Sequence, residues 1–180
     1  MTTADLTQNY IKLFDLPISY DLYLAELSDR YRKLQHTVHP DKFANASDLE
    51  RRMSMQKSAL INEAYQTLKS PLQRARYMLQ LKGVDLAADT STSMDSEFLM
   101  QQMRLREELE QIRSHSNPES KLLILVKEIE QAIADQTTVL SRLFNEANDK
   151  GLEQIADYVR RMQFMTKLQQ ETEALEEELL

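Results

Sequence analysis

Three consecutive residues, His39-Pro40-Asp41, hold the side-chain types that most readily suggest chemistry. A histidine close to a carboxylate supplies the parts of a general acid–base pair, and the proline between them fixes the backbone. Covalent catalysis needs a nucleophile as well, yet no serine or cysteine stands beside them in a recognisable motif. The chain has no cysteine at all and no Gly-rich phosphate loop. That lack also removes disulfides, thiolate zinc sites and iron–sulfur ligation by this chain. Its three histidines, His36, His39 and His115, match no metal-ligand spacing. No cofactor or metal is expected, and the chain is not expected to be an enzyme; a catalyst using His39 and Asp41 stays open as one class of function. The other chemistry is recognition. Asp41 offers an acceptor-only carboxylate suited to a partner's arginine, and Arg30, Arg32, Lys33 and Lys42 would steer an acidic surface toward it.

The elements that must position this tripeptide are helical. Two glycines, four prolines and no tryptophan in 180 residues leave little turn-making material for many short strands. Leu, Glu, Gln, Ala, Arg and Lys dominate, and all favour helix, so the fold class is expected to be all-α. A short helix is expected from Tyr10 to Leu16, stopped by Pro17. Asp21 is placed to cap the next, which runs to about Thr37 with Leu24, Leu27, Tyr31 and Leu34 on one face. Pro40 then biases His39 away from helical geometry. Ser47 and Glu50 form a capping box that opens a helix through Met53, Leu60, Ile61, Ala64 and Leu68. Ser70-Pro71 starts a fourth helix, ended near Lys82 by Gly83. The pair of helices around the tripeptide is an antiparallel hairpin, and residues 1–83 form the first domain.

Residues 84–95, with Thr90-Ser91-Thr92-Ser93, read as a linker. Residues 96–180 are expected to form a three-helix bundle. Its first helix, about 96–114, has a stripe of Phe98, Leu105, Leu109 and Ile112. The second runs from Asn117-Pro118 to Lys150-Gly151, with a heptad seam of Leu122, Val126, Ile129, Ile133, Gln136, Leu140, Leu143 and Ala147. The third, about 152–179, offers Ile155, Val159 and Met162, then Leu168, Leu175 and Leu179. Charge divides with the domains: residues 1–83 hold 12 Lys+Arg against 9 Asp+Glu, and residues 84–180 hold 10 against 20, a balance of +3 and −10. Opposite signs point to two surfaces for two partners, or to drift in surface charge. The overall −7 argues against nucleic acid as a partner. The polar stretch from Met1 to Asp15 lacks a signal-peptide core, and no later run is long and apolar enough to span a membrane. The protein is therefore expected to be soluble and cytoplasmic.

A second surface follows from helical angles. With about 100° per residue, Leu99, Met100, Met103 and Glu107 fall on the side of the first bundle helix that the core stripe does not use. Phe164 lies about 180° from the seam of Ile155, Val159 and Met162. The middle helix outruns the first by roughly 20 Å, which sets about residue 165 beside Leu99 and Met100. One patch of Leu99, Met100, Met103 and Phe164 is expected, edged by Arg104 and Glu107. Its two readings are a binding site and packing against the first domain or a helix end. Tyr77, Met78, Leu79 and Leu81 are expected domain–domain contacts.

The basic second helix, the His39-Pro40-Asp41 loop and the stretch Ile61-Asn62-Glu63-Ala64-Tyr65-Gln66-Thr67-Leu68 resemble the J-domain family of DnaJ-like co-chaperones over about residues 8–83. The resemblance extends over nearly the whole chain to the HscB type, the branch serving iron–sulfur cluster assembly. It is carried by Phe43, Ser70-Pro71-Leu72-Gln73-Arg74-Ala75-Arg76-Tyr77-Met78-Leu79, Glu97-Phe98-Leu99-Met100 and Arg106-Glu107-Glu108-Leu109. The Gly/Phe-rich segment and cysteine zinc module of general DnaJ proteins have no counterpart. The resemblance implies that His39, Pro40 and Asp41, with Arg30, Lys33 and Lys42 in support, dock on an HscA/DnaK-type heat-shock chaperone and speed its ATP hydrolysis. It also implies that Leu99, Met100, Met103, Arg104, Glu107 and Phe164 bind an IscU-type iron–sulfur scaffold protein. Arg104 departs from an acidic preference of that type, which puts its role in doubt. A J-domain co-chaperone serving a different client is the alternative.

Overall fold

The computed structural model describes residues 9–39, 42, 46–86, 95–146 and 151–179, in which seven α-helices and no strand occur. Pro40, Asp41 and Phe43 lie outside the described residues, as do Ala147, Lys150 and most of the expected linker (87–94). The chain divides into two compact units, Met1–Tyr77 and Met78–Leu180.

In the first unit α1 spans Tyr10–Leu13, three residues short of the expected end. It stops because Asp15 takes a left-handed backbone with φ of 52°, a conformation a short acidic side chain tolerates. The Asp15 and Leu16 amides then turn back to donate to the carbonyls of Lys12 and Ile11. Helix α2 spans Leu24–Val38. Asp21 does not cap it: the cap residue is Tyr23, which makes no side-chain cap bond, and Leu24 is exposed instead of joining the core stripe. His39 ends α2 with φ −56° and ψ 128°, the extended geometry that a following proline imposes. Helix α3 (Asp48–Lys69) opens with the expected capping box, in which the Ser47 hydroxyl accepts from the Glu50 amide and the Glu50 carboxylate accepts from the Ser47 amide. Helix α4 (Pro71–Leu81) follows directly. The Ser70 hydroxyl accepts from the Gln73 amide, and Gly83, at φ 79°, closes the helix as the Val84 amide donates to the Leu79 carbonyl.

Ile11, Phe14, Leu16, Tyr20, Leu27, Ile61, Ala64, Leu68, Leu72 and Ala75 are the buried apolar residues described in this unit. Arg74 is buried among them. One guanidinium nitrogen donates to the Leu68 carbonyl at 2.6 Å, and the group lies 4.9 Å from the Tyr20 ring centre. Burial lowers the Arg74 pKa, with Tyr20 and Asp21 opposing the shift.

In the second unit α5 (Ser96–Ile112), α6 (Pro118–Glu146) and α7 (Leu152–Leu179) share a core of Phe98, Leu105 and Ile112, Leu122, Leu125 and Ile129, and Met165, Leu168 and Leu175. The seams of α5 and α6 stay on one face. That of α7 does not. Ile155, Ala156, Val159 and Met162 are buried first, then Met165, Leu168, Thr172 and Leu175. Successive steps of three from Val159 to Leu168 each fall about 60° short of a full turn, so the second buried face lies roughly 150° round the helix from the first.

Candidate functional site

The tip of the α2–α3 hairpin carries the first candidate site. Lys42 donates its amide to the His39 carbonyl at 3.0 Å, and its ammonium lies 3.1 Å from His36 Nδ1. Lys33 and Lys42 are exposed. Arg30 has local partners instead. Its guanidinium donates to Glu26 Oε1, to Asp15 Oδ2 and to the carbonyls of Phe14 and Asp15, all within 3.1 Å. These carboxylates raise its pKa, Glu26 first. The left-handed turn at Asp15 aims those carbonyls at α2, a feature that residue types alone do not disclose.

Along the hairpin the two helices face each other through a polar row. The Ser28 and Tyr65 hydroxyls lie 3.2 Å apart, and Tyr31 donates to Asn62 Oδ1 at 2.6 Å. Gln35 Nε2 donates to Asn62 Oδ1 at 2.7 Å and to the Ser58 carbonyl at 3.3 Å, while Gln35 Oε1 accepts from the Ser58 hydroxyl at 3.0 Å. Nearest the loop, the Ser54 hydroxyl donates to the Val38 carbonyl at 2.5 Å. Sequence reading missed this row because it followed apolar spacing; hydroxyl and amide side chains at 54, 58 and 62 recur with the same helical step.

The second site lies on α5. Leu105 is fully buried, whereas Leu99, Met100 and Met103 are 43%, 71% and 64% exposed. Glu107 is exposed on the same strip. Arg104 pairs with Glu108 of its own helix at 2.7 Å and reaches across to Glu128 of α6. Those carboxylates, Glu128 foremost, raise its pKa further. The spacing of Arg104 and Glu108 by four is a readable signal; the reach to Glu128 is not. Phe164 flanks the strip on the α7 side. It is half-buried against the core, its ring edge-on to Phe98 with centres 6.0 Å apart, and the Arg106 guanidinium lies 5.9 Å from its centre. The structure thus gathers Leu99, Met100, Met103 and Glu107 on one strip, with Arg104 and Phe164 on its two sides.

Among the described residues no cluster of three His, Asp or Glu side chains is placed to hold a metal ion, and no helix is long and apolar enough to cross a membrane.

Residues 16–77 match the DnaJ domain family, and residues 94–173 match the family described as the HSCB C-terminal oligomerisation domain. A co-chaperone protein HscB homolog from Shewanella pealeana is 46% identical over 172 residues, covering 96% of this chain and 99% of its own. Another from Photobacterium profundum is 45% identical over 169 residues, covering 94% and 97%. Among solved structures, chaperone HscB from Vibrio cholerae is 39% identical with a TM-score of 0.83, covering 96% of this chain and 100% of that one. The human co-chaperone protein HscB is 28% identical with a TM-score of 0.84, covering 94% and 83%.

Proposed function

Because this chain belongs to the HscB-type J-domain co-chaperones, we propose that it carries an IscU-type iron–sulfur scaffold protein to an HscA/DnaK-type chaperone and stimulates that chaperone's ATPase. Its relatives are named as co-chaperones, a role in which the chemistry belongs to a partner. On this reading His39, Pro40 and Asp41 form the coupling contact. Asp41 presents a carboxylate to a cation of the chaperone, and Lys33 and Lys42 hold an acidic surface close. Arg30, held by two carboxylates, acts mainly by anchoring α2 to the turn after α1.

The exposed apolar strip of α5 carries the scaffold half of the proposal. Its three large side chains stand on a helix whose opposite side already fills the bundle core, so the strip is not needed for folding. Contiguous exposed apolar groups of this kind mark interaction sites. Burying each side chain would contribute roughly 1.5–3 kcal/mol at most. After the cost of association this suits a reversible complex, on the order of micromolar. Phe164 extends the strip toward α7, and Glu107 and the Arg104 pairings form its polar edge. We assign residues 1–83 to the chaperone contact, 84–95 to a linker and 96–180 to the scaffold contact, and we place the protein in the cytoplasm.

The test is a chaperone ATPase assay with and without scaffold. Asp41→Asn should abolish stimulation while the circular dichroism spectrum stays unchanged. Leu99→Ala combined with Phe164→Ala should weaken scaffold binding at least tenfold, since two buried side chains are truncated, yet leave scaffold-free stimulation intact. Full stimulation by Asp41→Asn would remove the loop from the mechanism. Unchanged scaffold affinity in the double variant would return the strip to packing, and a response to other clients but not to the scaffold would favour a different cargo.

A further inference from the structure

If the tripeptide is the chaperone contact, something must hold the end of the hairpin that bears it. Burial along the hairpin is uneven. Leu27, Ile61, Ala64 and Leu68, its buried apolar residues, all lie in the half away from the loop. From the level of Tyr31 and Asn62 toward the loop, the hydrogen-bonded groups are Tyr31 with Asn62, Gln35 with Asn62 and Ser58, and last Ser54 with the end of α2. Ser54 is only 3% exposed, and its acceptor is the carbonyl of Val38, the last residue of α2. Carbonyls in the last turn of a helix have no donor within their own helix. Here the opposite helix supplies one, immediately before His39-Pro40-Asp41.

We infer that Ser54 and Gln35 are positioning residues: they fix where α2 ends against α3, and so where the loop is presented, without belonging to the apolar core. The inference rests on the chaperone-contact reading of the loop. Hydrogen bonds suit this task because they are directional, whereas apolar contacts accept sliding. Gln35 bonds Ser58 through both ends of its amide and Asn62 through one, which registers α2 along α3. A slip of one residue would carry the loop about 1.5 Å along the axis and turn it by about 100°. The point at which the chain leaves α2 for the loop is therefore set by two side chains that are not themselves assigned to the chaperone contact.

Ser54→Ala and Gln35→Leu, made singly in the full chain, test this with two readouts. The first is amide hydrogen exchange at Val38, His39 and Lys42, compared with Leu27, Ile61 and Ala64. Loss of one hydrogen bond should speed exchange at the tip about fivefold and leave the second group unchanged. The second is ATPase stimulation titrated to saturation with the chaperone. Because only the competent fraction of tips is reduced, the concentration for half-maximal effect should rise, by up to about fivefold, while the maximum is kept. Asp41→Asn, in contrast, should lose the maximum. Faster tip exchange with an unshifted titration would overturn the inference, as would unaltered tip exchange. Equal loosening at Leu27, Ile61 and Ala64 would also overturn it, since the residues would then be ordinary stabilising groups. If the unmodified chain stimulates no such ATPase, the chaperone reading fails, and exchange alone still decides whether these residues hold the tip.

Discussion

Ser47 and Glu50 hold each other across the first turn of α3, and the pairing has a sign in pH. The Glu50 carboxylate accepts from the Ser47 hydroxyl at 2.7 Å and from its amide at 2.9 Å, and these bonds lower its pKa below the ordinary 4.5. A carboxyl that is more acidic when folded contributes stability above its unfolded pKa, and loses it as pH falls through the folded value. An NMR titration should therefore find the Glu50 midpoint below that of an unbonded glutamate. Ser47→Ala, which removes the hydroxyl and keeps the backbone amide, should move it part of the way back and lessen the acid-dependent fraying of the first turn. Both residues were legible from type and spacing, because a capping box is a local device. Arg30 was legible only as a cation. Its partners depend on a turn at Asp15 whose left-handed backbone no local pattern announced.

Helix α5 divides its residues between two tasks. Truncating Leu105 removes a fully buried side chain and leaves a cavity, so Leu105→Ala should cost about 3 kcal/mol in urea unfolding. Met103→Ala, on the exposed strip, should stay within about 0.5 kcal/mol. Equal costs would mean that the strip is covered within the protein. The stripe of α5, the proline starts of α4 and α6 and the stop at Gly83 could all be read in advance, since each depends on neighbours within one or two turns. Helix α7 was legible in several of its core members, Ile155, Val159, Met162, Leu168 and Leu175, but not in its change of face. A helix meeting the same neighbours along its length keeps one seam, and extrapolating from Ile155, Val159 and Met162 assumed that. Beyond Met162 the helix enters the three-helix core with α5, and its buried side moves to Met165 and Leu168. Phe164 consequently lies beside that second buried face, half-covered, and meets Phe98. That change of neighbours is a property of the assembled bundle.

At the scale of the molecule, charge separates the two proposed contacts. Residues 1–83 carry +3 and residues 84–180 carry −10. The chaperone contact relies on exposed cations beside one carboxylate, and the scaffold contact on apolar side chains. Exposed charges are screened within about 8 Å at physiological salt and about 3 Å at 1 M, whereas apolar burial is not weakened by screening. Raising salt from about 0.1 M to about 1 M should thus shift the chaperone titration to higher concentration and leave scaffold capture nearly unchanged. Parallel loss of both would show that the acidic bundle also binds through its charge. The division into two all-helical parts, and the tripeptide in the first, were visible in the sequence because they rest on composition and on contiguous residues. The polar row that grips the hairpin tip was not, since its members lie on two helices and look individually like ordinary surface residues.

The wandering seam of α7 gives the short stretch between its two buried faces a fixed length. One added residue between Met162 and Met165 would turn everything downstream by about 100°, and Met165, Leu168 and Leu175 would leave the interior together. Substitutions there trade single side chains; a change of length displaces a whole buried face at once.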